Sequence, residues 1–327
     1  MNGRKKAYIS GAIIGGAFLM ALLTNAGCDV KGNINKFLHP DTSTNTSITT
    51  STSTSAPISA PENDEKNMTV HFLDVGQGDS IFIELPNNET MLIDASEAEY
   101  ADKISTYVYS QGYEYIDYVI ATHNHADHIG GMGEVLDTLK IGTVYSSPTN
   151  HTSKTYADMI GAIYRNNIQH VQPTTGYEII NTIIDGKTLK CIIVSPSEPV
   201  EDLNNSSLVL KLTYGESDFV FTGDIEKEAE DLIRANIKCD VLKIAHHGSS
   251  TSTSDNFLKK TEPTYAVISC GLNNSYEHPH DVIINRLLKR NIQIFRTDHQ
   301  GDIIFTTIGY DDSMTVNKSA YGGEQNG

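Results

Sequence analysis

The chain has 327 residues, and its 41 Asp plus Glu against 24 Lys plus Arg give a formal net charge of −17. That acidity excludes a protein whose main task is gripping a long polyanion, since such affinity comes from Lys and Arg neutralising phosphates. Apolar residues at 39% and charged residues at 20% fit one large or two ordinary folded domains, and four Cys without a CxxC pair exclude a disulfide scaffold or a thiolate zinc site.

Residues 1–28 open with Arg4, Lys5 and Lys6, continue as an uncharged apolar run from Ala7 to Leu23, and end in Ala26-Gly27-Cys28. This is the layout of a secretory signal peptide. The ending resembles a bacterial lipobox, whose Cys takes the lipid, although Asn25 stands where Leu is usual. An uncleaved membrane anchor is the alternative, because the apolar run is at the lower limit of a bilayer span. Both put the basic start in the cytoplasm and the rest on the extracytoplasmic face of a bacterial membrane, held there as a lipoprotein or released.

Residues 29–67 contain a tract of Ser, Thr, Asn and Pro from Asp41 to Asp64 with no aromatic side chain, which predicts a disordered stalk. The folded domain is expected over 68–318, with 319–327 a flexible tail. With 6 of the 24 basic and 5 of the 41 acidic residues ahead of Met68, the remainder holds 18 against 36, a net of −18. The acidity therefore belongs to the folded part.

Taken in order, strands are predicted at Val70 to Leu73, Ser80 to Leu85 and Met91 to Ile93, then a helix from Ala98 to Gln111 and a strand from Tyr118 to Ala121. A helix from Ile129 to Leu139, a strand from Thr143 to Ser146 and a helix from Thr155 to Arg165 follow. Further strands are predicted at Cys191 to Val194, Leu208 to Leu212, Phe219 to Thr222, Val241 to Ala245, Ala266 to Ser269, Ile292 to Phe295 and Asp302 to Thr306. Helices are predicted at Ile225 to Arg234 and Val282 to Lys289. Strands interleaved with helices over this length predict two sheets with helices outside.

Thr122-His123-Asn124-His125-Ala126-Asp127-His128 ends an apolar strand with three imidazoles and a carboxylate, ligand types that Zn²⁺ prefers. Phe219 to Asp224 runs a second apolar strand into Gly223-Asp224, and Val241 to Ser249 runs a third into His246-His247. Asp224 read alone is equally a helix cap. Together the three runs bring distant ligands to strand ends, as a metal site built from several loops requires.

These runs, with Leu73-Asp74-Val75-Gly76-Gln77-Gly78-Asp79-Ser80, Leu92-Ile93-Asp94 and Tyr276-Glu277-His278-Pro279-His280, resemble the metallo-β-lactamase superfamily, and within it the soluble hydrolase-like domain of the ComEC competence proteins. The resemblance implies an αββα four-layer sandwich that holds two divalent metal ions, zinc with manganese as the alternative. It implies His123 and His125 as ligands of one ion, Asp127 and His128 of the other, and Asp224 between them. His246 would complete the second site, with His247 as the alternative. Asp94 would orient a ligand His, and Asp79 would face the site. The superfamily often places a further His ahead of the Gly-Asp, where this chain has Asn204 and Asn205, which predicts a more weakly held first ion.

The implied activity is metal-assisted hydrolysis through a metal-bound hydroxide, with Asp127, Asp79 and Asp94 as candidate catalytic carboxylates. A phosphodiester is the favoured substrate, either DNA or a cell-wall phosphodiester. A net of −18 fits a small or short one better than a long strand, and tight nucleic-acid binding is not expected. The alternatives are a β-lactamase or lactonase, and a non-catalytic accessory lipoprotein of DNA uptake. Asn204, Asn205, Lys243, His247, His278 and His280 are candidates for touching substrate or supporting a ligand. His71, His151, His170 and His299 read as surface or strand positions without partners, and Cys191, Cys239 and Cys270 as buried strand residues. A monomer is expected.

Overall fold

The structure is a computed structural model and describes residues 66–322. The signal or anchor, the lipidation site, nearly all of the predicted stalk and the last five residues lie outside the described residues. Among those described, no helix is long and apolar enough to cross a membrane.

The first half of the chain supplies β1 (Met68–Phe72), β2 (Ile81–Glu84), β3 (Thr90–Ile93), β4 (Tyr115–Ala121), β5 (Lys140–Ser146) and β6 (Gln169–Val171). The second half supplies β7 (Glu178–Ile184), β8 (Lys187–Ser195), β9 (Val209–Tyr214), β10 (Ser217–Phe221), β11 (Val241–Lys243), β12 (Tyr265–Ile268) and β13 (Gln293–Arg296). β14 (Ile303–Thr307) and β15 (Thr315–Val316) return to the first sheet. The orders are β15-β14-β1-β2-β3-β4-β5-β6 and β13-β12-β11-β10-β9-β8-β7.

Side chains alternate between faces with period two. On β2, Ile81 and Ile83 enter the core between the sheets while Phe82 faces outward, and on β10 Phe219 and Phe221 face inward while Val220 faces outward. The outer face of the first sheet is covered by α1 (Ala101–Ser110), α3 (Met132–Thr138) and α4 (Lys154–Arg165). α1 buries Ala101, Ile104, Ser105 and Val108, the spacing of one helical face. α5 (Lys227–Leu232), α6 (Asp255–Thr261) and α7 (Asp281–Leu288) cover the second sheet through Ala229, Phe257, Leu258, Ile283 and Leu287. The result is the four-layer αββα sandwich.

The sites depend on strand direction. β3, β4, β5 and β6 run parallel, as do β10, β11, β12 and β13. The carboxyl ends of parallel strands open on one edge of a sheet, which is where ligand sites form in such folds.

Several expectations are corrected. The helix expected from Ile129 to Leu139 is broken into α2 (Ala126–Ile129) and α3 at Gly130-Gly131. A Cβ on Gly131 would lie 2.5 Å from the Ala95 carbonyl, so this approach to the β3 loop admits only glycine. β6, β7 and α6 were not anticipated. Packing continues past the expected tail boundary, because the Tyr321 N–H donates to Ile294 O at 2.6 Å. His71 is not partnerless: it is buried between Tyr107 Oη at 2.8 Å and Glu84 Oε1 at 3.0 Å. Cys191, Cys239 and Cys270 are buried free thiols, although only Cys191 lies within a strand.

Candidate metal centre

β4 delivers the His123–His128 run, and Asp94 at the end of β3 holds its base. Asp94 Oδ1 accepts the Thr122 N–H at 2.8 Å, and Oδ2 accepts Thr122 Oγ1–H at 2.7 Å and His128 Nδ1–H at 2.8 Å. A carboxylate only accepts, so the proton of His128 is fixed on Nδ1 and Nε2 is left for the site. Asp94 therefore touches the candidate ligand His128 from behind. Both its oxygens are occupied inside a closed core, so it makes no contact with the cleft.

Asp224 follows β10 through Gly223, which sits at φ +50° with its Cα packed on Ser207, where a Cβ would come within 2.9 Å of the Ser207 side chain. Asp224 Oδ2 lies 3.2 Å from His128 Nε2, 3.4 Å from His247 Nε2 and 4.0 Å from His123 Nε2. Asp127 Oδ2 stands 3.3 Å from the same His247 nitrogen. Asp127, His128, Asp224 and His247 form one group of four donors, whose ligand atoms all lie within 4.8 Å of one another.

The choice between the adjacent histidines goes against His246. β11 stops at Lys243, and His246 and His247 both adopt left-handed backbone, at φ 51° and 52°. His247 turns inward with 1% of its side chain exposed, and its Nδ1–H donates to Ser269 O at 3.0 Å. His246 points to the mouth of the site, 22% exposed, with Nδ1 3.4 Å from Glu226 Oε1 and Nε2 3.9 Å from Asp224. His247, held as the alternative, is the one in the donor group.

Around His123 the set is sparser. His123 Nε2 lies 3.1 Å from His125 Nδ1, and the carboxylate in reach is Asp224 at 4.0 Å. Asn204 and Asn205 do not extend it: Asn205 Oδ1 accepts the Glu226 N–H at 2.9 Å, and Asn204 Nδ2 lies 3.5 Å from Glu226 Oε1.

The donor set fits a divalent cation. Nε2 of His128, Nε2 of His247 and Oδ1 of Asp224 are buried and have no hydrogen-bond partner, and imidazole nitrogen with carboxylate oxygen is the ligand chemistry of Zn²⁺ and related ions. Electrostatics say the same. Burial opposes a charge on His128, yet Asp224 and Asp94 outweigh it and hold the group well above its ordinary range. Burial likewise opposes charge on His247, and Asp224 and Asp127 push it up to about 10. The carboxylates therefore demand positive charge between them. His123, shut away from water and facing His128, is held well below the ordinary imidazole range.

Gln77, Glu97, His246, Tyr276 and His278 line a cleft of about 390 Å³ over these donors. Gln77 Nε2 lies 3.3 Å from His278 Nδ1, and Tyr276, 63% exposed, lies near-parallel to His278 at a ring distance of 5.7 Å. Burial, with His247, His246 and His280 nearby, pushes His278 down to about 4. Gln77 and Tyr276 stood in motifs already singled out but without a role, and nothing in the sequence marked Glu97. His280 does not reach the cleft; its Nδ1 accepts the Ser250 N–H at 2.8 Å ahead of α7. Lys243 meets neither phosphate nor solvent, since it is buried against Asp79 at 2.8 Å. Asp79, so paired, is also withdrawn from the cleft. A separate cavity of about 350 Å³ beside α5, lined by Val194, Pro196, Leu232 and Ile233, contains none of these donors.

The family described as Metallo-beta-lactamase superfamily matches residues 73–272. The chain is 31% identical over 255 residues to "ComE operon protein 3" of Bacillus subtilis (strain 168), covering 72% of this chain and 32% of that protein. It is 27% identical over 245 residues to "Competence protein ComA" of Neisseria gonorrhoeae, covering 74% and 32%. It thus spans about a third of the length of these curated relatives. Among solved structures it is similar to the metallo-beta-lactamase fold protein YhfI from Bacillus subtilis, with TM-score 0.46 and 12% identity, covering 74% of this chain and 99% of that one. With the profile spanning both the His123–His128 run and Asp224, the chain belongs to the metallo-beta-lactamase superfamily.

Proposed function

We propose that the chain is a metal-dependent phosphodiesterase that works outside the cytoplasmic membrane on small or short phosphodiesters. The observation that carries this is the four-donor group, with its two unpartnered imidazole nitrogens, at the floor of an open cleft. A divalent cation held by Asp127, His128, Asp224 and His247 would polarise a phosphoryl oxygen and acidify an attacking water. A second, more weakly held ion would sit at His123 and His125, again against Asp224.

The chain's own residues do the rest. Asp94 and Ser269 O keep the Nδ1 protons on His128 and His247, so that Nε2 of each faces the cation site. His246, held by Glu226 and by Thr251 Oγ1 at 3.3 Å, lines the cleft. The cleft has carboxylates and imidazole and phenol rings but no Lys or Arg in its lining, which favours a short substrate over a long polyanion. The competence relatives favour a place in DNA uptake at the membrane, and the leader's signal and lipobox-like ending supports an extracytoplasmic location.

The test is hydrolysis of bis(p-nitrophenyl) phosphate and of nitrocefin by the full-length protein with and without chelator. Chelator-sensitive cleavage of the phosphodiester supports the reading. Cleavage of nitrocefin alone replaces it with a β-lactamase, and metal-free protein without turnover replaces it with an accessory role.

A further inference from the structure

We propose that Lys243 and Asp79 are a positioning pair that places a fixed carboxylate behind His247, beside the Ser269 O that accepts its Nδ1–H, and so tunes the hold of His247 on a bound cation. On β11, Val241 faces the core between the sheets and Leu242 the outer layer, so period two sends Lys243 inward at the strand's end. There it is 1% exposed, with Nζ 2.8 Å from Asp79 Oδ2 and donating to Ile244 O at 3.0 Å. Burying an ion pair in place of apolar side chains rarely gains stability. A strand whose inner face already holds Val241 would be as well served there by Leu or Met.

What the pair touches gives it a use. With Oδ2 held by Lys243, Asp79 turns its buried and unpartnered Oδ1 to within 3.5 Å of His247 Nδ1. Its Oδ2 also lies 4.0 Å from His128 Nδ1. The backbone is fixed as well, because Asp79 N–H donates to Asp127 O at 3.1 Å. A Cβ on the preceding Gly78 would lie 2.3 Å from that same carbonyl, so only glycine brings Asp79 so close. Asp79 therefore abuts three of the four candidate ligands, and Lys243 fixes which way its carboxylate faces. Groups placed in this way behind a ligand tune its hold on the metal.

This inference rests on the metal-site reading, and the experiment separates the two. Co²⁺ and Zn²⁺ affinity is measured by chelator competition, and the Co²⁺ absorption spectrum recorded, for the full-length protein and for Asp79→Leu/Lys243→Met, which removes both charges at similar volume. The expected result is a folded double variant that binds Co²⁺ about 10- to 100-fold more weakly with an altered spectrum. Wild-type affinity and spectrum in the double variant would make the pair merely structural and overturn the inference. If the double variant does not fold, Asp79→Asn decides. It keeps an acceptor for Lys243 but turns an N–H toward His247 Nδ1, and unchanged Co²⁺ affinity there would also overturn the inference. A wild-type protein that binds neither ion would instead overturn the metal site itself.

Discussion

Asp94 Oδ2 stands 2.8 Å from His128 Nδ1, and this contact decides that Nε2 is the ring atom facing Asp224 in the donor group. Replacing Asp94 by Ala removes the orienting acceptor and strands the Thr122 N–H in the core, while Thr122 Oγ1 keeps His123 Nδ1 at 3.2 Å. We expect metal affinity to fall about 10- to 100-fold. Metal-free stability should drop by roughly 1–3 kcal/mol, the cost of leaving buried donors unsatisfied. Chelator competition checks the first and urea unfolding in EDTA the second; a stability loss with unchanged affinity would confine Asp94 to the core.

The two adjacent histidines give the sharpest contrast. His247→Ala should lower retained metal, measured per chain after dialysis, to near that of an Asp224→Ala variant. His246→Ala should keep the metal and lose turnover, because its ring faces the mouth beside Glu226. Metal loss in His246→Ala with retention in His247→Ala would return the ligand role to His246.

How much of this was legible in the sequence follows from which interactions are local. The strands that end at His123, Asp224 and His246 announce themselves, because apolar runs stopping at polar ligands need only neighbours in the chain. Period two from Val241 even points Lys243 inward. What decides between His246 and His247 is two successive left-handed residues, a conformation the local pattern does not foretell since neither is glycine. The Asp79–Lys243 pair joins the loop before β2 to the end of β11, and only tertiary packing brings them together. β7 escaped notice because its exposure follows no clean alternation at the sheet edge. α6 does carry a local signal, since Ser254 caps it by accepting the Phe257 N–H.

The metal-free protein should respond to pH in a defined direction. Its carboxylates raise His247 from its ordinary value of 6.5 to about 10 and hold His128 well above the same value. A group raised on folding contributes stability that is fully present below its unfolded pKa and is lost as pH rises through the folded one. In EDTA the melting temperature should therefore fall between pH 6.5 and about pH 10. A saturating divalent cation should flatten the trend by replacing those protons. Binding should also release protons, visible as a buffer-dependent heat in calorimetry. A metal-free melting temperature that climbs over that range would contradict the assignment.

Tyr276 tests the cleft apart from the metal. Its ring is 63% exposed and lies near-parallel to His278, in a loop pinned by Asn274, whose Nδ2 donates to Gly271 O at 2.8 Å and whose Oδ1 accepts the Tyr276 and His278 N–H groups. Loss of so exposed a ring should change stability by no more than about 0.5 kcal/mol. If the rings form the wall against which a substrate rests, Tyr276→Ala should raise KM for bis(p-nitrophenyl) phosphate several-fold, consistent with about 1 kcal/mol of aromatic contact. Tyr276→Phe should restore it, since the contact is made by the ring face. An equal fall in kcat with KM unchanged in both variants would instead mean that Tyr276 acts on the chemical step through its hydroxyl.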